Sequence, residues 1–217
     1  MIYEIKLLND EQIDYISNCY KEKNFVDGSI SNPSKIKNNL MMTGHHHTIV
    51  SHYFTEILHN NVDMYSIFTA KKVSQIYSLW YKPESFYGYH IDTNPIGGIN
   101  AHMSMTCFLN DPEEYEGGEL VIKIGSEEVT IKKKRGTAIL YNTGLWHKVN
   151  PVISGDRKVV VCWIESIIKN TFIRNHIIEY GSLLNNLTIS DDTITNGYQL
   201  LENLEQFRIN LMREYGE

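Results

Sequence analysis

The stretch Tyr87-Gly88-Tyr89-His90-Ile91-Asp92 decides how this chain folds and what it can bind. Side chains two residues apart on an extended strand point to the same face, so the His90 imidazole and the Asp92 carboxylate are expected to lie side by side. A further histidine, His147, follows far downstream. Two histidines and one carboxylate form the ligand set of non-haem Fe(II) sites that keep coordination positions open. The sequence therefore predicts an iron site at these three residues.

Ten residues beyond that histidine comes an arginine, in Ser154-Gly155-Asp156-Arg157-Lys158. A guanidinium presents its donors in a rigid fork that matches a carboxylate in two-point contact. We therefore expect Arg157 to bind a carboxylate in two-point contact. Together with the predicted metal triad, this arginine indicates Fe(II) with 2-oxoglutarate as co-substrate and O2 as oxidant.

The His-x-Asp pair by itself is a weak signal. Nine histidines and nine aspartates in 217 residues give roughly 0.4 such pairs by chance. Its context strengthens the interpretation, because the pair follows a strand rich in Tyr and Gly, His147 opens a second strand, and Arg157 falls where a distal carboxylate could lie.

The composition is that of a globular protein large enough for one domain, with 42% hydrophobic and 21% charged residues. A net charge of −6 argues against a nucleic-acid partner that is held mainly through phosphates. Cys19, Cys107 and Cys162 lack metal-type spacing and are expected to be buried free thiols. No apolar run at the N-terminus is long enough for a signal or a membrane span. We therefore expect a cytoplasmic protein without nucleic-acid or membrane partners.

Residues 73–166 have the pattern of a β domain. Branched and aromatic side chains recur at strand-like spacing, and turn signals divide them. About six to eight short strands at this spacing predict a mainly β fold with flanking helices and a double-stranded β-helix, or jelly-roll, core. Successive strands of such a core alternate between two facing sheets, so His147 and Arg157 are expected to project from opposite sheets.

Two turns in this β region bear on the site. The apolar runs on either side of Gly125-Ser126 predict a hairpin. The break from Thr93 to Gly98 directly follows two proposed ligands. It is either a mobile loop that closes over substrate or an ordinary turn.

Residues 1–72 are expected to supply a strand and helices that pack on this core. A short strand is expected within residues 2–8, followed by a helix with its N-cap at Asn9 or Asp10 and its end near Lys23. An amphipathic helix is predicted over residues 52–60. His45-His46-His47 lacks a nearby carboxylate, so a solvated loop or a helix start is favoured over a metal site.

Residues 167–217 are expected to form a helical extension that buttresses the sheet or makes a homodimer contact. Asp191-Asp192 and Asn196-Gly197 mark the connection between its two apolar stripes. The stripes consist of Phe172, Ile173, Ile177 and Ile178, and of Leu200, Leu201, Leu204, Phe207 and Leu211.

Further stretches match a known pattern together with the proposed ligands. They are Phe25-Val26-Asp27-Gly28, Lys37-Asn38-Asn39, Trp80-Tyr81, His90-Ile91-Asp92, Phe108-Leu109-Asn110-Asp111-Pro112, Gly117-Gly118-Glu119-Leu120, Trp146-His147, Arg157 and Trp163-Ile164-Glu165-Ser166. With these, the chain resembles the Fe(II)- and 2-oxoglutarate-dependent dioxygenases, and within them the PKHD-type hydroxylases, which are related to the prolyl hydroxylases. The resemblance implies that His90, Asp92 and His147 bind iron, that Arg157 binds the distal carboxylate of 2-oxoglutarate, and that Tyr81 assists Arg157.

The resemblance also implies a function. A hydroxylase of this kind acts on an unactivated C–H, here in a prolyl or other residue of a protein or peptide, and releases succinate and CO2, with ascorbate as a candidate reductant. Three alternatives stay open: a small-molecule hydroxylase of the same mechanism, a non-catalytic cupin-like module that binds a metal or ligand, and a structural interaction protein joined through its C-terminal helices. Iron ligands together with Arg157 favour the enzyme, because a simple binding module does not need both.

Overall fold

The computed structural model describes residues 1–31, 36–186 and 195–217. The strands are β1 (Ile2–Lys6), β2 (Phe25–Asp27), β3 (Leu40–Met42), β4 (Ala70–Val73), β5 (Tyr77–Tyr81), β6 (Tyr87–His90), β7 (Met103–Phe108), β8 (Tyr115–Gly117), β9 (Leu120–Ile124), β10 (Glu127–Ile131), β11 (Thr137–Asn142), β12 (His147–Val149), β13 (Val152–Gly155) and β14 (Arg157–Ser166). The α-helices are α1 (Asp10–Ser17), α2 (Gly44–Asn60), α3 (Val62–Ser66), α4 (Thr171–Asn186) and α5 (Thr195–Tyr215).

The strands form two facing antiparallel sheets and a small ribbon. The main sheet has eight strands in the order β1-β11-β7-β14-β5-β3-β2, with β4 paired to the last residues of β14. The minor sheet has the order β10-β9-β12-β6, and β8 pairs with β13. This architecture is the predicted double-stranded β-helix with flanking helices. As predicted, His147 and Arg157 belong to opposite sheets.

The period of two along β14 sorts its side chains into two apolar layers. Val160, Cys162 and Ile164 face a layer shared with the helices, which includes Phe54 of α2. Val159 belongs instead to the layer between the two sheets. Strand β14 lies in the middle of the main sheet and is covered on both faces, so the odd-numbered residues from 157 onward point toward the minor sheet.

The chain forms more strands than the sequence indicated. Residues 73–166 contain ten complete strands, β5 to β14, rather than the six to eight predicted there, because β8, β12 and β13 span only three or four residues each. Strands this short leave no readable period in the sequence. The hairpin at Gly125-Ser126 forms as predicted between β9 and β10.

Several expectations for the N-terminal part need revision. Helix α1 is capped by Asn9 as predicted, but it ends at Ser17 rather than near Lys23. Strands β1, β2 and β3 hydrogen-bond into the main sheet and do not merely pack on it. The domain boundaries at residues 72 and 166 stay predictions.

The break between Thr93 and Gly98 is a tight turn. Ile96 and Ile99 exchange backbone hydrogen bonds of 3.1 Å in both directions. Gly97 and Gly98 stand at the turn with φ of +56° and +78°, values that glycine adopts without steric cost. An ordinary turn therefore accounts for Gly97-Gly98, and closure of this loop over substrate stays a prediction.

The C-terminal helices follow the predicted stripes only in part. Ile177 and Ile178 are fully buried, but Phe172 is 68% exposed. Asn196-Gly197 lies in the first turn of α5, and Asp191-Asp192 lies outside the described residues. Arg208 of α5 donates to the Ser66 carbonyl, so the helices buttress the N-terminal part of the fold.

All three cysteines are buried and free, as predicted. Over the residues that the structure describes, no helix combines the length and the apolar character needed to cross a membrane.

Replacing Phe54 by alanine tests the outer apolar layer. The side chain is 0% exposed, so its loss should leave a cavity and lower the free energy of unfolding by about 3–5 kcal/mol. The matched control is Phe172→Ala, because this phenylalanine is 68% exposed and its loss should cost less than about 1 kcal/mol. Urea unfolding of both variants measures the difference, and equal losses would contradict the packing described above.

Candidate functional site

The structure brings His90, Asp92 and His147 together at one end of the inter-sheet space. Strands β6 and β12 are neighbours, and His147 lies directly opposite His90 in their register. One ligand atom from each of the three residues lies within 4.8 Å of the others. The only group of three or more potential metal ligands in residues 1–31, 36–186 and 195–217 is this one.

The position of Asp92 differs from the sequence-based expectation. Strand β6 ends at His90, so Asp92 follows the strand and does not share a strand face with the histidine. Its Oδ1 lies 3.7 Å from His90 Nε2, and its Oδ2 lies 3.7 Å from His147 Nε2. The segment after the strand turns the carboxylate toward both imidazoles, and strand alternation is the wrong reason for their proximity.

Backbone carbonyls orient both imidazole rings. His90 Nδ1 lies 2.9 Å from the Gly88 carbonyl oxygen, and His147 Nδ1 lies 2.9 Å from that of Leu145. A neutral ring that donates through Nδ1 keeps the Nε2 lone pair for a metal. Burial, and then the neighbouring His147, lower the pKa of His90 to about 4. The ring is therefore neutral at physiological pH, as a metal ligand must be.

Two donors fix the Asp92 carboxylate. Trp163 Nε1 donates to Oδ2 at 2.7 Å, and Ser104 Oγ donates to the same oxygen at 2.8 Å. These hydrogen bonds lock the carboxylate plane and direct Oδ1 toward His90. Sequence analysis assigned no such role to Trp163 or Ser104, because they lie 71 and 12 positions from Asp92 along the chain and such contacts leave no local signal.

Arg157 lies at the other end of the space, buried between the sheets. It is 1% exposed and lies opposite Tyr81 in the β14–β5 register. Its guanidinium carbon is 4.8 Å from the Tyr81 ring centroid and 5.5 Å from that of Phe108. Within the described part of the chain, its Nε and Nη1 have no hydrogen-bond partner. A buried cation with unused donors is costly unless an anion pairs with it, so this end of the site fits a carboxylate ligand.

Gly118 makes room for the stem of this arginine. A Cβ on Gly118 would lie 3.1 Å from Arg157 Cδ and 2.9 Å from Val152 Cγ2. The residue also has φ of +66°, which other residues rarely adopt. The second glycine of Gly117-Gly118 is therefore required by the position of the arginine.

A cavity of about 410 Å³ joins the two ends. Its wall between the metal ligands and Arg157 is largely apolar and includes Leu79, Leu120, Val149 and Val159. At its mouth lie Ile91 and Thr93, which are exposed. The cavity therefore reaches the surface on the metal side and closes around the arginine.

Tyr81 occupies the position that the sequence predicted beside Arg157. It is 1% exposed, and burial raises its pKa to about 12. The phenol is therefore neutral and able to donate a hydrogen bond. Its predicted part in binding a carboxylate is compatible with this placement and stays a prediction.

Lys37 is a further cavity residue, and sequence analysis assigned no function to it. Its side chain lines the cavity and is 6% exposed. Burial lowers the pKa of this ammonium to about 8. It adds a second cation to the cavity that Arg157 also lines.

His45-His46-His47 lies in the first turn of α2, which begins at Gly44. The predicted helix start is thereby confirmed. The predicted amphipathic helix over residues 52–60 is the second half of the same helix.

Comparison with known proteins identifies relatives over most of the chain. A family model of the 2OG-Fe(II) oxygenase superfamily matches residues 75–165. A PKHD-type hydroxylase of Sphingopyxis alaskensis is 31% identical over 188 residues, which cover 82% of this chain and 85% of the relative. A PKHD-type hydroxylase of Maricaulis maris is 28% identical and is covered over 99% of its length.

Solved structures resemble the fold. A prolyl-4-hydroxylase of Pseudomonas putida aligns with a TM-score of 0.56 at 14% identity, over 76% of this chain and 92% of that one. A prolyl hydroxylase of Trichoplax adhaerens, solved with a peptide fragment of hypoxia inducible factor, aligns with a TM-score of 0.59 at 15% identity, over 75% and 82%. At these identities the likeness concerns the fold alone, and it agrees with the double-stranded β-helix.

The hydrogen bond from Trp163 to Asp92 can be tested by a conservative substitution. Trp163→Phe removes the indole N–H and keeps an aromatic ring, so Fe(II) affinity should fall by about 10–100-fold. Anaerobic competition with a chelating dye measures it. Trp80→Phe is the matched control, because the Trp80 Nε1 has no partner among the described residues. Unchanged iron affinity in the Trp163 variant would contradict its role in holding the carboxylate.

Proposed function

Because the chain belongs to the PKHD-type hydroxylases of the 2OG-Fe(II) oxygenase superfamily, we propose that it hydroxylates a prolyl or other residue of a protein or peptide. Membership of the family makes it a hydroxylase that uses Fe(II) and 2-oxoglutarate. That the substrate is a protein or peptide, and that the hydroxylated residue is a prolyl residue, is what we propose beyond this membership. The observation that carries the assignment of the site is one cavity with a His-Asp-His cluster at one end and, at the other, Arg157, whose Nε and Nη1 have no partner among the described residues.

The donor set of two imidazoles and one carboxylate fits iron. His90 and His147 would bind through Nε2, because Nδ1 of each ring is engaged with a backbone carbonyl. Asp92 would bind through Oδ1, because Oδ2 already accepts two hydrogen bonds. When bound, Fe(II) and 2-oxoglutarate would support an oxidation by O2 in which one oxygen atom enters succinate, with loss of CO2, and the other hydroxylates a C–H.

The protein contributes binding, orientation and exclusion of water. The Arg157 fork would take the distal carboxylate of 2-oxoglutarate in two-point contact, assisted by the neutral Tyr81 hydroxyl. The apolar wall of Leu79, Leu120 and Val149 would cover the methylene groups of the co-substrate. No side-chain nucleophile is needed, so the site requires no serine or cysteine with an adjacent base.

Two observations support a substrate residue within a longer chain. Ile91 and Thr93 at the cavity mouth are exposed, so a residue presented from a peptide could reach the metal end. The structural neighbours include prolyl hydroxylases, and the one from Trichoplax adhaerens was solved with a peptide fragment.

A small-molecule substrate is the second candidate, because the cavity volume of about 410 Å³ lies within the range of sites for small ligands. Ascorbate as reductant, a cytoplasmic location and a homodimer stay predictions.

Replacing Arg157 by lysine should mainly weaken the use of 2-oxoglutarate. Lysine keeps the charge and loses the two-point contact, so the KM for 2-oxoglutarate should rise by about tenfold or more, with a smaller change in kcat. Succinate formation at varied 2-oxoglutarate measures both constants. Arg174→Lys is the matched control, because Arg174 is also buried and does not line the cavity. An unchanged KM in the Arg157 variant would remove this arginine from the co-substrate site.

The proposed substrate class is tested with a library of proline-containing peptides. The protein with Fe(II), 2-oxoglutarate and ascorbate should add the mass of one oxygen atom to a prolyl residue and form one succinate for each hydroxylation. His147→Ala removes a ligand and should abolish both products. Succinate formation that responds only to small molecules would favour the small-molecule hydroxylase. Absence of 2-oxoglutarate binding would favour the non-catalytic module.

A further inference from the structure

The backbone around Lys37 is fixed against the edge of the minor sheet. Lys37 forms an antiparallel bridge with Tyr87 of β6. The neighbouring Gly88 N–H donates to the Ile36 carbonyl at 2.6 Å. A Cβ on Gly88 would approach that same oxygen to 3.2 Å, so glycine permits the close pairing. The Lys37 backbone is therefore placed before any ligand binds.

The Lys37 side chain reaches the metal end of the cavity. Its Nζ donates to Ser31 Oγ and lies 4.9 Å from the centroid of the Tyr87 ring. The Tyr87 ring in turn stacks on His90 with 3.6 Å between centroids. The ammonium therefore lies on the side of the cavity that carries Tyr87 and His90, whereas Arg157 lies beside Tyr81 in the deeper part.

Lys37 forms no ion pair with a carboxylate of the described residues. None of their carboxylate oxygens lies within 4.0 Å of its Nζ, although the more accessible Lys82, Lys133 and Lys169 each have such a partner. Asp27 and Asp92 act on Lys37 only from a longer distance. A buried ammonium that interacts with a hydroxyl and an aromatic face is incompletely compensated, so an incoming anion would be favoured there.

The charges that line the cavity lead to the same conclusion. Lys37, Asp92 and Arg157 are its charged residues, and its two histidines would bind iron as neutral imidazoles. With iron and 2-oxoglutarate bound, the two charges of the metal balance the two of the co-substrate, and Arg157 balances Asp92. The Lys37 ammonium then remains as the unbalanced charge. One further negative charge, brought by the primary substrate, would complete the site.

We propose that Lys37 binds a carboxylate of the primary substrate and so selects substrates with a negative charge close to the hydroxylated C–H. This rests on the proposed function and narrows its substrate class. The carboxylate can have two sources: the α-carboxylate of a small amino-acid derivative or C-terminal residue, or the side chain of an acidic residue next to the target residue in a peptide. Both present the same group to the same ammonium.

Matched acids and amides test the inference directly. The Fe(II) protein, saturated with 2-oxoglutarate and kept without oxygen, is titrated calorimetrically with the N-acetyl derivatives of the twenty amino acids, each as free acid and as amide. Amidated peptides with Asp-Pro or Asn-Pro form the second set. We expect the tightest ligand of at least one set to be the acid. The wild-type protein should bind the matching neutral amide with a dissociation constant about tenfold or more higher than that of the acid. The Lys37→Gln protein should bind the acid itself about tenfold or more weakly than the wild-type protein does.

Two variants control for changes in folding and in general charge. Lys132→Gln makes the same substitution at a lysine that lies 4.0 Å from the Tyr115 ring centroid and outside the cavity lining, and it should keep the preference for acids. Lys37→Arg retains the positive charge and should keep part of the preference. If the N-acetyl acids bind more tightly than their amides, Lys37 binds an α-carboxylate. If Asp-Pro peptides bind more tightly than Asn-Pro peptides, Lys37 binds an acidic side chain.

The outcomes separate this inference from the function on which it rests. Equal binding of acids and amides in both sets, or a preference that survives in Lys37→Gln, overturns the role of Lys37. A tenfold loss of 2-oxoglutarate affinity in Lys37→Gln also overturns it, because the ammonium would then serve the co-substrate. If the wild-type protein binds no 2-oxoglutarate, both the proposed function and the inference fail. Normal 2-oxoglutarate binding without any preference for acids removes the inference alone.

Discussion

A guanidinium that is buried between two sheets, and that forms no ion pair with a carboxylate of the described residues, constrains much of this structure. Arg157 is 1% exposed, with two of its nitrogens unpaired in the described residues. Burial at this depth requires both sheets, because the minor sheet covers the face of β14 from which the side chain projects. It also requires Gly118, since any larger residue would meet the arginine stem. Such an arrangement makes physical sense when an anion completes it, and the cavity leads from the arginine to three potential metal ligands.

Strand β14 serves both ends of that cavity. Arg157 and Trp163 are six positions apart on the same face, which corresponds to about 20 Å along a strand. At one end of β14, Arg157 supplies the cation. At the other end, the Trp163 indole donates a hydrogen bond to the Asp92 carboxylate. The central position of this strand in the main sheet, packed on both faces, gives the two ends a rigid separation. Co-substrate and metal can then be held in a fixed relation by one element.

The sequence predicted the core fold and which side chains would come together in the cavity. It predicted less well how the backbone brings those side chains together. Alternating apolar residues and glycine turns are local signals, so the hairpin at Gly125-Ser126 and the strands that carry His147 and Arg157 could be predicted. Asp92 lies beyond its strand because the chain turns after His90, and no local pattern marks that turn. Phe172 has helical spacing with its buried neighbours yet is exposed, because the packing of helices depends on distant residues. Lys37 gains its role only from the fold, which joins residues 36–38 to strand β6.

The central claim is that one cavity holds Fe(II) and 2-oxoglutarate together, the metal at the His-Asp-His cluster and the co-substrate reaching from it to Arg157. Titration of 2-oxoglutarate into the anaerobic Fe(II) protein, followed by visible absorption, measures this directly, because an iron-bound 2-oxo acid gives a charge-transfer band. The account predicts a saturable band in the wild-type protein and none in His147→Ala. A wild-type protein that binds iron without developing the band, or a band that persists without His147, would contradict it.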